Sequence, residues 1–250
     1  MTAALFPAGA FGESNVIVAF GDSLTAGCWN TEVEDSSCGI TPRQDVYYES
    51  YDYGDQLQDL LTENNYRYVI HNFGDGGETT FEGVNRFDSV LENACNQSAK
   101  YVLIMEGTND LLHNRMKEYI QFNLDVMIEK SLARAVVPLV ATIPPDLTPG
   151  HEYKGIPEMN VLIRKLVEKK KSEGKNVILV DQYAALNSYW DSYTNPRSCY
   201  ATLPGRDNDQ LHPNEEGTSA MGSVWYESLS GILPREFRGL PWLMLLMAND

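Results

Sequence analysis

Short apolar runs rich in β-branched residues recur along the chain and alternate with longer segments of helical period. A continuous apolar run of about 4–8 residues is typical of a strand buried on both faces of a parallel sheet. The sequence predicts five such strands, at residues 16–20, 68–72, 101–106, 136–141 and 177–181.

The segments between these strands predict helices that end at stop signals. Leu57, Leu60 and Leu61 share one helical face and precede Asn64 and Asn65, which favour a helix end. Residues 159–166 also carry apolar side chains at helical spacing, ahead of a lysine run and a glycine.

The lysine run consists of Lys169, Lys170 and Lys171, and Gly174 follows it. The helix dipole favours basic residues in a last turn. We therefore expect the three lysines to form a solvated helix end and not a binding patch.

Strands that alternate with helices specify right-handed βαβ crossovers, and thus an α/β fold built as a three-layer α/β/α sandwich around a five-stranded parallel sheet. Pro138 fits the fourth strand poorly, because proline cannot donate a hydrogen bond to a sheet ladder. We expect a single domain over residues 1–250, with an N-terminal extension at 1–14 and an apolar tail at 239–250. Two long polar loops that carry several aromatic residues are predicted at 28–52 and 188–207.

Acidic residues outnumber basic ones by 35 to 19, which gives a net charge of −16. This charge repels nucleic acid phosphates and anionic membrane surfaces, so we expect neither as a partner. No segment approaches the roughly 20 apolar residues that span a bilayer, so stable membrane insertion is not expected. Nothing in the sequence specifies an oligomeric state.

The cysteines lack the spacing of a zinc site, and no histidine pattern accompanies them, so we expect neither metal nor cofactor. Cys28 and Cys38 close a short polar loop and predict a disulfide, with free buried thiols as the alternative. A disulfide indicates a secreted or periplasmic protein whose signal peptide is absent from this chain. Residues 1–14 do not read as a signal peptide, which keeps a cytoplasmic location open.

Polar residues that follow the strands are the candidates for chemistry, because ligands of open parallel sheets bind beyond the carboxyl ends of the strands. Ser23 follows the first strand, where its hydroxyl suits a nucleophile near a helix N-terminus. The alternative is that Ser23 or Thr25 only caps the next helix. After the second strand, the glycine-rich segment 72–80 can offer backbone N–H donors to a ligand, or it is a tight turn capped by a threonine.

Asn109 follows the third strand, where its side-chain amide can stabilise an oxyanion or close an Asx turn. Near the end of the chain, Asp209 and His212 are three positions apart. At that spacing a carboxylate can hold an imidazole in the tautomer that leaves its other nitrogen free as a base. The alternative is an unremarkable polar pair on the surface.

Taken together, four sequence blocks resemble those of the SGNH hydrolase superfamily, also called GDSL esterases and lipases. The blocks occur in order along most of the chain, as GDSL at 21–24, NxGxxG at 72–77, GxND at 107–110 and DxxHP at 209–213. The resemblance implies a flavodoxin-like sandwich and a serine ester hydrolase that works through an acyl-enzyme.

The resemblance also implies a role for each matching residue. Ser23 would be the nucleophile, and His212 would be the base that Asp209 orients. The backbone N–H groups of Ser23 and Gly77 and the side chain of Asn109 would form the oxyanion hole.

The substrate class is expected from the residues around this rim. We expect Asp22, Tyr48, Tyr51 and Trp190 to contact the substrate, since aromatic side chains stack on sugar faces or aryl groups. Acetylated carbohydrate or a short-chain aryl or alkyl ester would fit, unless the aromatic residues only order their loops. The alternatives are a lysophospholipase or thioesterase with the same triad, and an inactive carbohydrate-binding module.

Overall fold

The computed structural model describes residues 15–30, 47–93, 96–151, 155–194 and 209–234. Its strands are β1 (Asn15–Gly21), β2 (Cys28–Asn30), β3 (Tyr47–Tyr51), β4 (Tyr68–Gly74), β5 (Ala99–Met105), β6 (Val137–Ala141) and β7 (Ile178–Val180). Its helices are α1 (Ser23–Ala26), α2 (Tyr53–Glu63), α3 (Thr80–Glu92), α4 (Thr108–Leu112), α5 (Lys117–Ala133), α6 (Ile156–Ser172), α7 (Gln182–Leu186), α8 (Trp190–Thr194) and α9 (Glu215–Ser230).

The central sheet is parallel and five-stranded, in the order β4-β1-β5-β6-β7. This is the strand order of flavodoxin-like doubly wound folds, with β1 next to the second and third strands of the sheet. The predicted α/β class and all five predicted strands are confirmed, and the strand ends agree to within two residues.

Helices cover both faces of the sheet, which makes three layers. One core cluster joins the sheet to α3, α5 and α6, and a second joins it to α2, α9 and the α7–α8 segment. Along β1, Val18 and Phe20 enter the first cluster, whereas Ile17 and Ala19 enter the second. Because β1 is buried on both faces, its sequence is a continuous apolar run rather than an alternating one.

Pro138 does lie in β6, an inner strand of the sheet, where it is level with Val102 of β5. On the other side, β7 pairs with β6 only from Leu139 onward. Pro138 therefore lies beyond the part of the ladder that β7 reaches, and the strand accommodates it there.

The predicted helix ends occur where the stop signals lie. Asn64 caps the end of α2 and Asn65 has a φ of 61°, in the left-handed region that asparagine tolerates. Gly174, with a φ of 77°, follows the end of α6. Local sequence chemistry thus determines where these helices stop.

The expectation of a fully solvated lysine run is wrong for one of its residues. Lys169 and Lys171 are exposed, but Lys170 is buried and forms ion pairs with Asp125 and Glu129 of α5. A helical turn points adjacent residues in different directions, and Lys170 points toward the neighbouring helix. The lysine run therefore links α6 to α5.

Both predicted long loops contain regular structure. Within 28–52, β2 and β3 pair as an antiparallel ribbon. Within 188–207, α8 forms, preceded by a 3-10 turn at Asn187–Tyr189. The proposed extension at 1–14 and tail at 239–250 lie outside the described residues. None of the helices described is long and apolar enough to cross a membrane.

Candidate active site

Ser23 lies directly beyond the carboxyl end of β1, as the first residue of α1. A side chain at Gly21 would overlap the carbonyl oxygen of Met105, so glycine lets β1 end close to β5. Asp22 caps α1, because its Oδ1 accepts a 2.9 Å hydrogen bond from the Leu24 N–H. The capping role is therefore filled by Asp22, and the Ser23 hydroxyl is left for another partner.

The partner of the Ser23 hydroxyl is His212. Ser23 Oγ lies 2.8 Å from His212 Nε2, and His212 Nδ1 lies 2.7 Å from Asp209 Oδ2. Ser23 and His212 are 7% and 4% exposed, so the contact is largely shielded from water. The structure thus links the three side chains in series, although 189 positions separate the serine from the histidine.

The hydrogen-bond partners define the histidine tautomer. The Asp209 carboxylate can only accept, so Nδ1 of His212 carries the proton and Nε2 accepts from Ser23 Oγ–H. Burial raises the pKa of Asp209, but the hydrogen bond and charge of His212 and two backbone N–H donors outweigh it and lower the pKa below its ordinary value. Asp209 is therefore ionised near neutral pH.

The turn that carries Asp209 and His212 is tied to its surroundings. Asp209 Oδ1 accepts from the backbone N–H groups of Leu211 and His212, at 2.9 and 3.1 Å. The Gln210 N–H donates to Thr148 Oγ1 at 3.0 Å, and the Gln210 carbonyl accepts from the indole N–H of Trp190 at 3.2 Å. Thr148 lies in the β6–α6 connection, and no pattern in the sequence indicates that it contacts this turn.

The turn after β4 approaches α1 closely. Asn72 Nδ2 donates to the Thr25 carbonyl at 2.7 Å, and Asn72 Oδ1 accepts from the Gly74 N–H at 2.8 Å. A side chain at Gly74 would overlap the backbone of Ala26. Gly77 is exposed, has a φ of 83° and faces open space where a side chain would be, so its backbone can meet a ligand.

Asn109 lies near the start of α4, half-buried. Its Nδ2 donates a 2.8 Å hydrogen bond to the Glu78 carbonyl. This bond uses one of the two N–H groups of the amide, and the other can donate to a ligand. Asn109 does not close an Asx turn. The next residue, Asp110, accepts from the backbone N–H and hydroxyl of Thr80 and so joins α4 to the start of α3.

The three strands that carry these residues end level with one another. Gly21 of β1 is in register with Gly74 of β4 on one side and with Met105 of β5 on the other. Ser23, Gly77 and Asn109 follow within a few residues of those ends. The sheet therefore places them along one edge.

Two of the residues expected to contact substrate are interior residues. Trp190 is fully buried in the core beside α9, and Asp22 is fully buried beneath α1. Neither side chain has exposed surface that a ligand could contact, so the expectation that Asp22 and Trp190 contact the substrate is wrong. The side chains of Tyr48, Tyr51 and Cys28 and the whole of Cys38 lie outside the part of the chain that the structure describes, so the predicted disulfide stays a prediction.

A group of buried charged residues lies beside the site, and no pattern in the sequence predicts that they meet. Glu78, Glu106 and Asp22 are all at most 4% exposed, and Arg86 donates to both carboxylate oxygens of Glu78. Burial raises the pKa of Asp22 to about 6, against hydrogen bonds from Leu24 and Thr108 that lower it. Each of these residues lies in a different segment, so only the fold shows that they meet.

The other histidines of the described segments make local contacts. His71 Nδ1 pairs with Asn96 Oδ1 and His151 Nδ1 with Asp146 Oδ2, both at 2.8 Å. Across residues 15–30, 47–93, 96–151, 155–194 and 209–234, no three His, Cys, Asp or Glu side chains are grouped as a metal site.

Comparison with known proteins gives one family match. The model of the GDSL-like Lipase/Acylhydrolase family matches residues 19–220, which include all four sequence blocks. No curated protein sequence matches the chain.

Several solved structures share the fold. A lipase/acylhydrolase from Enterococcus faecalis is 21% identical, with a TM-score of 0.62 over 89% of this chain and 99% of its own. A family 3 carbohydrate esterase from Clostridium thermocellum is 20% identical, with a TM-score of 0.61 over 87% and 96%. The acetyl xylan esterase AlAXEase is 18% identical, with a TM-score of 0.58 over 87% and 100%.

Proposed function

Because the chain belongs to the GDSL-like lipase/acylhydrolase family, we propose that it hydrolyses carboxylic esters with Ser23 as the nucleophile. The observation that carries the proposal is the hydrogen-bonded series from Ser23 Oγ through His212 to Asp209. A serine hydroxyl is a weak nucleophile at its own pKa, and it attacks a carbonyl only with a base within hydrogen-bond reach. His212 Nε2 is in that position.

In the first step, the bond from Ser23 Oγ to the carbonyl carbon forms while His212 Nε2 takes the hydroxyl proton. The carbonyl π electrons move onto oxygen, where the backbone N–H groups of Ser23 and Gly77 and the free N–H of Asn109 stabilise the charge. The C–O bond to the alcohol then breaks, and His212 returns the proton to the departing oxygen. Water repeats the sequence on the acyl-enzyme, releasing the acid and restoring Ser23.

Asp209 orients His212 and stabilises the imidazolium that forms in each half of the reaction. Its two oxygens have separate uses, since Oδ2 accepts from the ring and Oδ1 accepts from backbone N–H groups. The carboxylate therefore cannot rotate away without losing contacts on both sides.

For the substrate we propose a short acyl ester, with acetylated carbohydrate first. Two structural neighbours are named as a carbohydrate esterase and an acetyl xylan esterase. Gly77 is exposed and has open space where a side chain would be, which would leave room for a bulky alcohol such as a sugar.

The experiment compares wild type with Ser23→Ala on acetylated xylan oligomers and on p-nitrophenyl esters of increasing acyl length. We expect hydrolysis of the short acyl esters and a loss of at least about 10⁴-fold in kcat for Ser23→Ala. Covalent labelling by a fluorophosphonate should occur in wild type and not in the variant. Equal rates for the two proteins would reject Ser23 as nucleophile, and a preference for long acyl chains would reject the substrate class.

A further inference from the structure

A pair of buried carboxyl groups lies behind the turn that carries Gly77. Glu78 directly follows that glycine and is 4% exposed, and Glu106 directly follows β5 and is 1% exposed. The two carboxyl groups are close enough for the negative charge of Glu78 to act on Glu106. A methyl group at Gly83 of α3 would lie 3.4 Å from Glu106 Oε1, an ordinary contact distance, so α3 packs against Glu106.

Arg86 neutralises only one member of the pair. Its Nε and Nη2 donate to the two carboxylate oxygens of Glu78, and Nη2 also donates to the Phe73 carbonyl at 2.8 Å. Its guanidinium lies over the Phe20 ring, 4.1 Å from the centroid. Among the described residues, no donor is paired with either carboxyl oxygen of Glu106.

A buried carboxylate without donors is strongly unfavourable, so Glu106 is stable there only as the neutral acid. A neutral carboxyl group has one O–H to donate, and the neighbouring Glu78 carboxylate is an acceptor. Burial and the negative charges of Glu78 and Asp22 raise the pKa of Glu106 well above its usual range, while the charge of Arg86 opposes the rise. These charged groups come from the β1–α1 turn, the β4–α3 turn and α3.

The carboxyl pair is connected to two of the proposed oxyanion donors, the Gly77 N–H and the side-chain amide of Asn109. The peptide bond between Gly77 and Glu78 belongs to the turn that presents the Gly77 N–H. The Glu78 carbonyl accepts the hydrogen bond that orients Asn109. We propose that Glu106 is a positioning residue of the oxyanion hole, whose neutral carboxyl group donates to Glu78 and thereby holds the Gly77 turn and Asn109 in place. The proposal rests on the ester hydrolysis proposed above.

The first test compares two substitutions of Glu106 that differ in one property. Glu106→Gln keeps a neutral donor of the same length, whereas Glu106→Met fills the space without a donor. We expect kcat of Glu106→Gln to stay within about 3-fold of wild type, and kcat of Glu106→Met to fall about 10- to 100-fold with KM nearly unchanged. Equal loss in both variants, or none in Glu106→Met, would overturn the proposal.

A double-mutant cycle separates positioning from general destabilisation. If Glu106 acts through Asn109, the kcat loss of Glu106→Met should be smaller in an Asn109→Ala background, because the part of the loss that passes through Asn109 is already gone. An undiminished loss would show that Glu106 does not position Asn109, and would overturn that part of the proposal. Far-ultraviolet circular dichroism and the unfolding temperature confirm that each variant is folded before its rate is read.

Infrared spectroscopy tests the neutral state without any substrate, and also if Glu106→Met does not fold. At about pH 8, where ordinary carboxyl groups are ionised, wild type should show the carbonyl stretch of a protonated carboxyl group that Glu106→Gln lacks. Absence of this band would overturn the proposal even in an active esterase. A wild type that shows the band but no Ser23-dependent hydrolysis would overturn the proposed function, and with it the role in an oxyanion hole.

Discussion

At the scale of single residues, Asn109 offers the most direct measure of charge stabilisation. One N–H of its amide is used by the Glu78 carbonyl, and the other is available to a developing oxyanion. Removing one such donor typically costs about 10² to 10³ in rate. We expect Asn109→Ala to lower kcat by that factor and to leave KM nearly unchanged, as measured by steady-state hydrolysis.

The matched control is Asn187→Ala, which removes an asparagine from an exposed turn and should leave both constants as they are. A rise in KM with kcat unchanged would mean that Asn109 binds the substrate in its ground state and does not stabilise the oxyanion specifically.

The raised pKa of Asp22 predicts how the unfolding free energy changes with pH. Its pKa is about 6 in the folded protein, chiefly because of burial, against an ordinary value of 3.8. Between these two values the folded state binds more protons than the unfolded state, so stability falls as pH rises through the interval. The difference of about two pH units corresponds to about 3 kcal/mol.

Asp22→Asn keeps an oxygen for the Leu24 N–H but cannot ionise. The unfolding free energy of the variant relative to wild type should therefore increase by about 3 kcal/mol from pH values near 4 to pH values above about 6. Urea unfolding at a series of pH values measures this difference, and a difference that is constant with pH would contradict the prediction.

At the scale of elements, the contact between β4 and α1 depends on glycine. Gly74 has an ordinary φ, so only the nearby backbone of Ala26 excludes a side chain there. We expect Gly74→Ala to force the two elements apart and to lower the unfolding free energy by about 3 kcal/mol, as measured by chemical denaturation.

Gly174→Ala provides the comparison, because Gly174 has a φ of 77° but open space around it. That change carries only the cost of a left-handed backbone, about 1 kcal/mol. If the two variants are equally stable, steric contact is not what requires glycine at position 74.

The elements also show why some assignments from sequence fail. Whether Lys170 is buried depends on α5, which supplies Asp125 and Glu129. Likewise, Trp190 is in an aromatic-rich polar stretch but packs beneath α9. A pattern along one segment does not contain the partner that buries its side chains.

At the scale of the whole molecule, the net charge of −16 means that the folded protein repels itself. Salt screens repulsion between exposed charges over about 10 Å at 0.1 M. We therefore expect the unfolding temperature to rise between about 0.02 and 0.5 M NaCl, by roughly 2–4 °C for each kcal/mol of repulsion removed.

The same titration near the isoelectric point of about 4.6 should show little change, since the net charge there is close to zero. A fall in unfolding temperature with salt near neutral pH would mean that ion pairs such as those of Lys170 outweigh the repulsion.

The sequence by itself determined the five sheet strands, the α/β class and the helix ends at Asn65 and Gly174. These features follow from local physics, since apolar runs must be buried on both faces and left-handed positions favour glycine or asparagine. The family also followed from sequence, because its four blocks occur in order along the chain.

Only the tertiary structure decided what meets at the sheet edge. The 2.8 Å contact between Ser23 and His212, the hydrogen bond from Gln210 to Thr148 and the hydrogen bond from Asn109 to the Glu78 carbonyl all join segments far apart in the chain. Burial and the charges of neighbours then set which carboxyl groups are ionised. Those quantities depend on distances in space, which no spacing along a single chain specifies.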